Sequence, residues 1–281
     1  MFLQVRVKIY RGLNVLLSIE GNEGTGKTTL AYTAPLPIVG FQFDLGEDRA
    51  IYGAKYHDYF EGLNIEVVQD GEEPQRHDSD IVIYRIPRRI QIGDKFIGIK
   101  EQWQRVVKLI ALCATNPEIA SVVLDTGTLA RKLAIDAHMQ EKQAKDPGRK
   151  QLLQIEYGVP NQEITNIYNT FKAVGKNLIS VHHLTEEYAP QVNRDGQVES
   201  MPTGKRIMEG LNKTPQLMDV IIRTEVVNGE VVGVYRKCGY NLSLVGTPTP
   251  TNPTWDSIVD QISMSLGGRI QFPRRKEPIN G

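Results

Sequence analysis

The sequence predicts an α/β fold in which helices flank a mainly parallel sheet, with a β-hairpin in the C-terminal part. Short, nearly continuous apolar runs recur along the chain, and such runs are typical of strands that are buried on both faces of a parallel sheet. Segments with helical spacing of apolar residues separate these runs, as an alternating α/β order requires. Two strand-like runs flank Asn228-Gly229, and this dipeptide favours a hairpin turn.

The N-terminal part shows the first repeat of this α/β order. A buried strand is predicted at 15–20, and a glycine-rich turn then leads into a helix at 27–33. Pro35 and Pro37 end that helix, because proline cannot continue it. A second apolar run at 38–43 completes a strand–loop–helix–strand unit, with which a doubly wound sheet begins.

The elements that follow are predicted from the same two periodicities. The sequence predicts helices at 101–113, 127–145 and 162–174. It predicts strands at 64–68, 81–86, 121–124, 177–181, 219–227 and 231–237. We expect one core at 1–245, within which 53–98 is a possible insertion. A Pro/Thr-rich linker and a basic C-terminal tail are expected at 246–281.

Composition narrows the classes of function. The 281 residues include 33 Lys+Arg and 33 Asp+Glu, so a globally basic surface is excluded and any site for nucleic acid must be a local patch. Cys113 and Cys238 lack metal-binding spacing and indicate reduced thiols. No apolar run approaches the roughly 20 residues of a membrane helix, so we expect a cytoplasmic protein without membrane contact.

The glycine-rich turn has the spacing G-x-x-x-x-G-K-[ST] of a phosphate-binding loop. Glycines let backbone N–H groups converge on a phosphate, and the following helix points its positive end at the same anion. Lys27 is expected to reach the β- and γ-phosphates, and the Thr28 hydroxyl to ligate Mg²⁺. The sequence therefore predicts a site for ATP and Mg²⁺, with nucleotide ligands at Gly21, Asn22, Glu23, Gly24, Thr25, Gly26, Lys27, Thr28 and Thr29.

Acidic residues after two strands are candidates for the metal site and for water activation. The run SVVLD ends in Asp125, which is expected to hold the water shell of Mg²⁺, with a helix N-cap as the alternative. Hydrolysis also needs a group that orients and deprotonates water. Glu47 is the first candidate, Asp44 the second and Asp48 the third, while an exposed acidic loop is the alternative for all three.

Histidines and basic residues supply further candidates. His183 follows a core strand and is a candidate sensor of the γ-phosphate; alternatively, His182 is a core residue and His183 is exposed. Arg236 or Lys237 is a candidate arginine finger for a neighbouring subunit, or else a surface cation. Basic residues in or beside loops are candidates for DNA contact, with solvated charge as the alternative for each: Lys142, Lys145, Arg149, Lys150, Arg194, Lys205 and Arg206.

The order of these motifs resembles that of a known group of ATPases. GNEGTGKTTL resembles the phosphate-binding loop of bacterial RecA, and LDTGTLARKL resembles the strand and helix that follow in RecA-like recombinases. The order FQFDLGEDR, SVVLDTGTL, NLISVHHLTEE and DVIIRTE resembles the phage-type RecA-like P-loop ATPases, some of which act in single-strand annealing or recombination. The resemblance covers about residues 13–240.

This resemblance implies ATP binding, single-stranded DNA binding and assembly into rings or filaments with ATP at the subunit interfaces. The loops that bind DNA in RecA correspond to 138–157 and 188–206 here, although their sequences differ from those of RecA. Glu47 lies one position away from where the catalytic acid of RecA is expected.

Three functional hypotheses follow from the sequence. The first is a DNA-stimulated ATPase that acts on single-stranded DNA in phage or mobile-element recombination, repair or replication. The second is a nucleotide-gated module with little turnover, which the position of Glu47 motivates. The third is a P-loop kinase, against which the long gap between Lys27 and Asp125 and the lack of an Arg-rich lid segment both argue.

Overall fold

The structure is a computed structural model that describes residues 13–44, 46–53, 56–75, 78–87, 95–192 and 197–275. The side chains of Glu47, Arg49 and His57 lie outside this description. Ten strands lie within the described ranges: β1 Leu16–Gly21, β2 Ile38–Gln42, β3 Ile65–Gln69, β4 Ile81–Arg85, β5 Ser121–Asp125, β6 Asn177–His182, β7 Leu184–Val192, β8 Val198–Met208, β9 Val220–Val227 and β10 Glu230–Cys238.

Eight of these strands form one central sheet in the order β10-β9-β1-β6-β5-β2-β4-β3. Every neighbouring pair is parallel except β9 and β10, which form an antiparallel hairpin. Strands β7 and β8 form a second, separate antiparallel hairpin. The predicted α/β class, with a mainly parallel sheet and a C-terminal hairpin, is confirmed.

Helices cover both faces of the sheet, and each face has its own apolar core. The helices are α1 Lys27–Ala31, α2 Glu47–Tyr52, α3 His57–Phe60, α4 Ile99–Thr115, α5 Gly127–Lys145, α6 Gly158–Val174, α7 Thr214–Leu217 and α8 Trp255–Ser265. On one face, α4, α5 and α6 bury residues such as Trp103, Leu133 and Phe171. On the other face, α1 and α8 bury Leu30, Trp255 and Ile258. The sheet is thus buried on both faces, as its apolar strands require.

The region 53–98 contributes to the main sheet. Strands β3 and β4 pair in parallel and continue the sheet beyond β2, with Ile81 and Ile83 buried in the core. The polar stretch within this region interrupts the α/β order of the sequence and suggested an insertion. In the structure, the polar stretch connects two strands of the same sheet.

The C-terminal part differs from the expected linker and tail. The outer edge of β10 is covered by 246–252, since Tyr235 N donates to Thr247 O (3.1 Å) and Thr249 N donates to Gly233 O (2.8 Å). Helix α8 then packs into the core, where Trp255 and Ile262 are buried. The prolines of this segment lack N–H donors and suggested a linker, but they are compatible with a short strap along a sheet edge.

None of the helices within the described ranges combines the length and the apolar character that crossing a membrane requires.

Candidate nucleotide-binding site

The phosphate-binding loop joins the end of β1 to the start of α1. Gly24 and Gly26 have φ angles of 72° and 74°, in the left-handed region that favours glycine. A Cβ at Gly26 would lie only 2.8 Å from the side chain of Val231 on β10. Helix α1 is shorter than the predicted 27–33, so its dipole is small. The backbone N–H groups of the loop are therefore the main backbone contribution to anion binding.

Hydrogen bonds within the loop hold Lys27 across it. Lys27 Nζ donates to the backbone oxygen of Asn22 at 2.5 Å, and Thr25 Oγ1 donates to the same oxygen at 2.8 Å. The hydroxyl of Thr224 on β9 lies 2.9 Å from Thr25 Oγ1 and supports the loop from below. Burial lowers the pKa of Lys27, although the carboxylates of Asp125 and Asp44 partly oppose this effect. The ammonium therefore lies where a bound phosphate would meet it.

Asp125 ends β5 beside this loop and is fully buried. Neither of its carboxylate oxygens has a hydrogen-bond partner of good geometry within the described part of the chain, although the Thr28 hydroxyl and the Gln42 amide lie close enough to favour its ionised form. Burial first, and then the negative charge of Asp44, raise the pKa of Asp125 to about 7, against opposing effects of Thr28, Gln42 and Lys27. The alternative role as a helix N-cap is wrong, because Thr126 caps α5 by accepting a bond from Leu129 N at 3.1 Å.

The residues around Asp125 fit a magnesium ion that is held mainly by a nucleotide. The buried carboxylate of Asp125 and the hydroxyl of Thr28 line the same cavity, and oxygen ligands are what Mg²⁺ prefers. Within the described ranges, no three His, Cys, Asp or Glu side chains converge to bind a metal by themselves. Phosphate oxygens and water would therefore supply most of the ligands, with Thr28 and Asp125 as the protein contribution.

A cavity of about 610 Å³ opens over the loop, a volume that suits a small ligand. Its walls come from four segments that are distant in sequence, namely the loop itself, the segment after β2, the end of β5 with the start of α5, and the end of β6. The lining residues outside the loop are Asp44, Gly46, Ala50, Asp125, Thr126, Leu129, Val181 and His183.

Comparison with known proteins agrees with this geometry. Residues 14–249 match the model of a family that is described as an AAA domain, AAA_24. The chain belongs to this AAA domain family. Membership places it among the P-loop ATPases and supports binding and hydrolysis of a nucleotide, which typically carries Mg²⁺.

One similar solved structure is that of a KaiC-like protein from the hyperthermophilic archaeon Pyrococcus horikoshii. The two chains are 13% identical over 80% of this chain and 79% of the other, with a TM-score of 0.36. None of the curated proteins matches this chain significantly.

The three acidic candidates for water activation have different surroundings in this AAA domain. Asp44 lines the cavity, where its carboxylate accepts hydrogen bonds from Gln42 Nε2 and from Gly46 N. Asp48 forms an ion pair with Arg85 at 2.9 Å. Glu47 begins α2, but its side chain lies outside the described part of the chain. Asp44 is therefore the carboxylate that the description places at the cavity.

The two histidines at the end of β6 differ in burial. His182 is buried, and burial lowers its pKa to about 4, so it is neutral near pH 7. Its Nε2 lies 3.0 Å from Ser180 Oγ, which in turn lies 3.1 Å from the Tyr168 hydroxyl. His183 is half-buried and lines the cavity, where a phosphate sensor would have to lie.

Lys237 and Arg236 differ in their freedom to contact a neighbouring subunit. Lys237 Nζ donates to the backbone oxygens of Pro215 (2.7 Å) and Met218 (2.6 Å) and is thus bound within its own chain. Arg236 is exposed beside the bulge of β10.

The described basic residues that were expected to contact DNA have different surroundings in the AAA domain. Lys142 and Arg149 both pair with Glu156, while Lys145 and Lys150 are exposed nearby. By helix geometry, Lys142 lies about 22 Å beyond Gly127 along α5. Lys205 is exposed on β8, and Arg194 lies outside the described residues.

Arg206, by contrast, reaches the phosphate-binding loop. Its Nη1 donates to Asn22 Oδ1, although the two residues are 184 positions apart. Sequence reasoning named Arg206 as a candidate for DNA contact but did not place it at the phosphate-binding loop, since no local pattern signals a contact of such range. It likewise missed Val231 and Thr224, which support the loop from the C-terminal hairpin.

Proposed function

We propose that this AAA domain binds ATP with Mg²⁺, hydrolyses it, and acts on single-stranded DNA. The decisive observation for the ATPase is that the unpartnered carboxylate of Asp125 and the side chains of Lys27 and Thr28 share one cavity. Asp44 lines the same cavity and is the carboxylate that we assign to the orientation of the attacking water.

Each of these side chains has a distinct part in hydrolysis. Lys27 leaves the Asn22 carbonyl and binds the β- and γ-phosphates, since a phosphate oxygen is a stronger acceptor than a neutral carbonyl. Thr28 and Asp125 would hold Mg²⁺, and the bound ion would neutralise charge that develops on the phosphates. Asp44 orients the attacking water and accepts its proton. The loop N–H groups and Lys27 keep the phosphates in place throughout.

Single-stranded DNA is proposed from the order of the motifs and from the exposed segments around the site. The β7–β8 hairpin is exposed along most of its length, with Tyr188 58% exposed and available for stacking on a base. Lys145 provides exposed charge for phosphates on the second segment, 138–157. The phage-type assignment and a role in recombination, repair or replication rest on the resemblance of the motifs.

The test is steady-state ATP hydrolysis with and without single-stranded DNA, repeated across a salt series. Stimulation by DNA that fades with salt is expected, because phosphate contacts release counterions. Tight ATP binding with no response to DNA and negligible turnover would instead indicate a nucleotide-gated module. Transfer of phosphate to a small molecule would indicate a kinase.

We expect Asp44→Asn to lower kcat by roughly 100-fold or more while MgATP affinity changes little, since the amide cannot accept the proton of water. Asp48→Asn is the matched control, because Asp48 is bound to Arg85 and should be dispensable for catalysis. Stopped-flow measurements of ATP binding and hydrolysis give the dissociation constant for MgATP and kcat. Normal turnover in Asp44→Asn would contradict this assignment and would make Glu47 the candidate for water activation.

We also propose that the protein assembles into a ring or filament in which Arg236 completes the ATP site of the neighbouring subunit. Lys27→Ala and Arg236→Ala proteins are each expected to be inactive alone. Their equimolar mixture should regain roughly a quarter of wild-type activity, because an intact loop then meets an intact arginine in about one interface of four. A mixture that stays inactive after subunit exchange would contradict a shared site.

A further inference from the structure

The side chain of Arg206 is placed at the edge of the nucleotide site. It belongs to β8, and its guanidinium donates to the side-chain oxygen of Asn22 in the phosphate-binding loop. A cavity of about 510 Å³ adjoins the nucleotide cavity, and Arg206 lines it together with Glu23, His183 and Glu209. Because Glu23 and His183 line both cavities and the guanidinium contacts Asn22, Arg206 lies beside the phosphate-binding loop, in the cavity next to the nucleotide cavity.

Asn22 connects this arginine to the phosphate-binding lysine. Its backbone oxygen accepts from Lys27 Nζ, while its side-chain oxygen accepts from Arg206. Both cations are thus bound to neutral acceptors of one loop residue. A phosphate is a stronger and bidentate acceptor for a guanidinium than an amide oxygen is. A triphosphate in the loop therefore attracts Arg206 as well as Lys27.

The hairpin that contains Arg206 is attached to the core by few contacts at its base. Glu209 N donates to His183 O at 2.9 Å, and Thr128 Oγ1 donates to Glu209 O at 2.9 Å. Farther out, both strands are exposed, with Val192 69% and Val198 71% exposed. An isolated two-stranded hairpin has little stability of its own. Its position is therefore sensitive to a single charged contact at the base.

We propose that Arg206 binds the terminal phosphate of ATP and so makes the position of the β7–β8 hairpin depend on the bound nucleotide. This inference rests on the proposed binding of ATP at the loop. With ADP, which lacks the terminal phosphate, Arg206 keeps its contact with Asn22. With ATP, the guanidinium moves to the phosphate and draws the base of β8 with it. The hairpin then reports the presence of the terminal phosphate to whatever it binds.

The first test compares affinities for ADP and for a non-hydrolysable ATP analogue, both with Mg²⁺. Arg206→Ala should weaken binding of the analogue by about tenfold or more, as loss of a charge-assisted bond predicts, and binding of ADP by less than about twofold. Arg206→Gln retains much of the length and can still bond to Asn22, yet it should behave like Arg206→Ala. Lys213→Ala, which removes an exposed cation outside the hairpin, should match wild type.

The second test follows hydrogen exchange of 184–192 and 198–208. In wild type, the analogue should change exchange in the hairpin while ADP should not, and Arg206→Ala should lose this difference. Equal effects of Arg206→Ala on both nucleotides, or a hairpin response that persists in the variant, would overturn the inference and leave ATP binding intact. Absence of nucleotide binding in wild type would instead refute the proposed function, and the inference with it.

Discussion

Replacement of Lys27 by alanine is expected to abolish tight binding and hydrolysis of MgATP while the protein stays folded. The ammonium is the loop's own cation for the β- and γ-phosphates, and loss of a charged hydrogen bond weakens binding by up to about a hundredfold. The transition state, in which charge on the phosphates grows, should lose a further factor of about 100 to 1,000.

The fold should tolerate this change, because Lys27 contributes little to stability. It is buried, burial lowers its pKa, and its hydrogen bond is to the loop's own Asn22 carbonyl. Titration with a fluorescent ATP analogue measures binding, and thermal unfolding without nucleotide measures the fold. Lys27→Met keeps the aliphatic chain and separates lost charge from lost volume. A large drop in the unfolding temperature of both variants would mean that the loop supports the fold.

Local patterns sufficed for those parts of the fold whose cause is local. The apolar runs gave the buried strands to within a few residues, since a strand that is covered on both faces must be apolar throughout. The loop spacing located Gly24 and Gly26, whose positive φ angles only glycine adopts readily. Asp125 could be placed because parallel strands end at one edge of the sheet.

The parts that could not be predicted depend on contacts between distant segments. The Pro-rich stretch at 246–252 covers β10 through backbone bonds, which leave no periodic signal in its sequence. Glu156 pairs with both Lys142 and Arg149, and Arg206 turns toward Asn22. The sequence pattern around a basic residue therefore does not distinguish whether its side chain binds DNA, a carboxylate or the nucleotide. Only the three-dimensional arrangement separates these roles.

Replacement of Asp125 by asparagine is expected to have opposite effects on function and on stability. Hydrolysis of MgATP should fall by at least about 100-fold, because the amide is a poor partner for Mg²⁺ and its water shell. The nucleotide-free protein should become more stable at pH 8. In the folded wild type the Asp125 carboxylate is fully buried and has no hydrogen-bond partner of good geometry among the described residues, and the asparagine amide removes its charge.

The pH dependence of this stabilisation has a definite sign. The folded-state pKa of Asp125 is raised from 3.8 to about 7, so the folded protein holds the proton more tightly than the unfolded chain does. Wild type therefore loses stability as pH rises from about 4 to about 7, by an amount on the order of 4 kcal/mol. The advantage of Asp125→Asn should be largest at pH 8 and should vanish near pH 4.

Thermal unfolding of both proteins between pH 4 and pH 8, in a chelating buffer, measures this difference. Addition of Mg²⁺ and a non-hydrolysable ATP analogue at pH 8 should then reverse the order, because a ligand that binds only the folded state stabilises it, and wild type binds this one more tightly. This reversal would connect the buried charge of Asp125 with the metal. The carboxylate destabilises the free protein, but it stabilises the complex when a cation neutralises its charge. Equal unfolding temperatures of the two nucleotide-free proteins at pH 8 would contradict this prediction. They would show that hydrogen bonds stabilise the ionised Asp125 carboxylate without a metal.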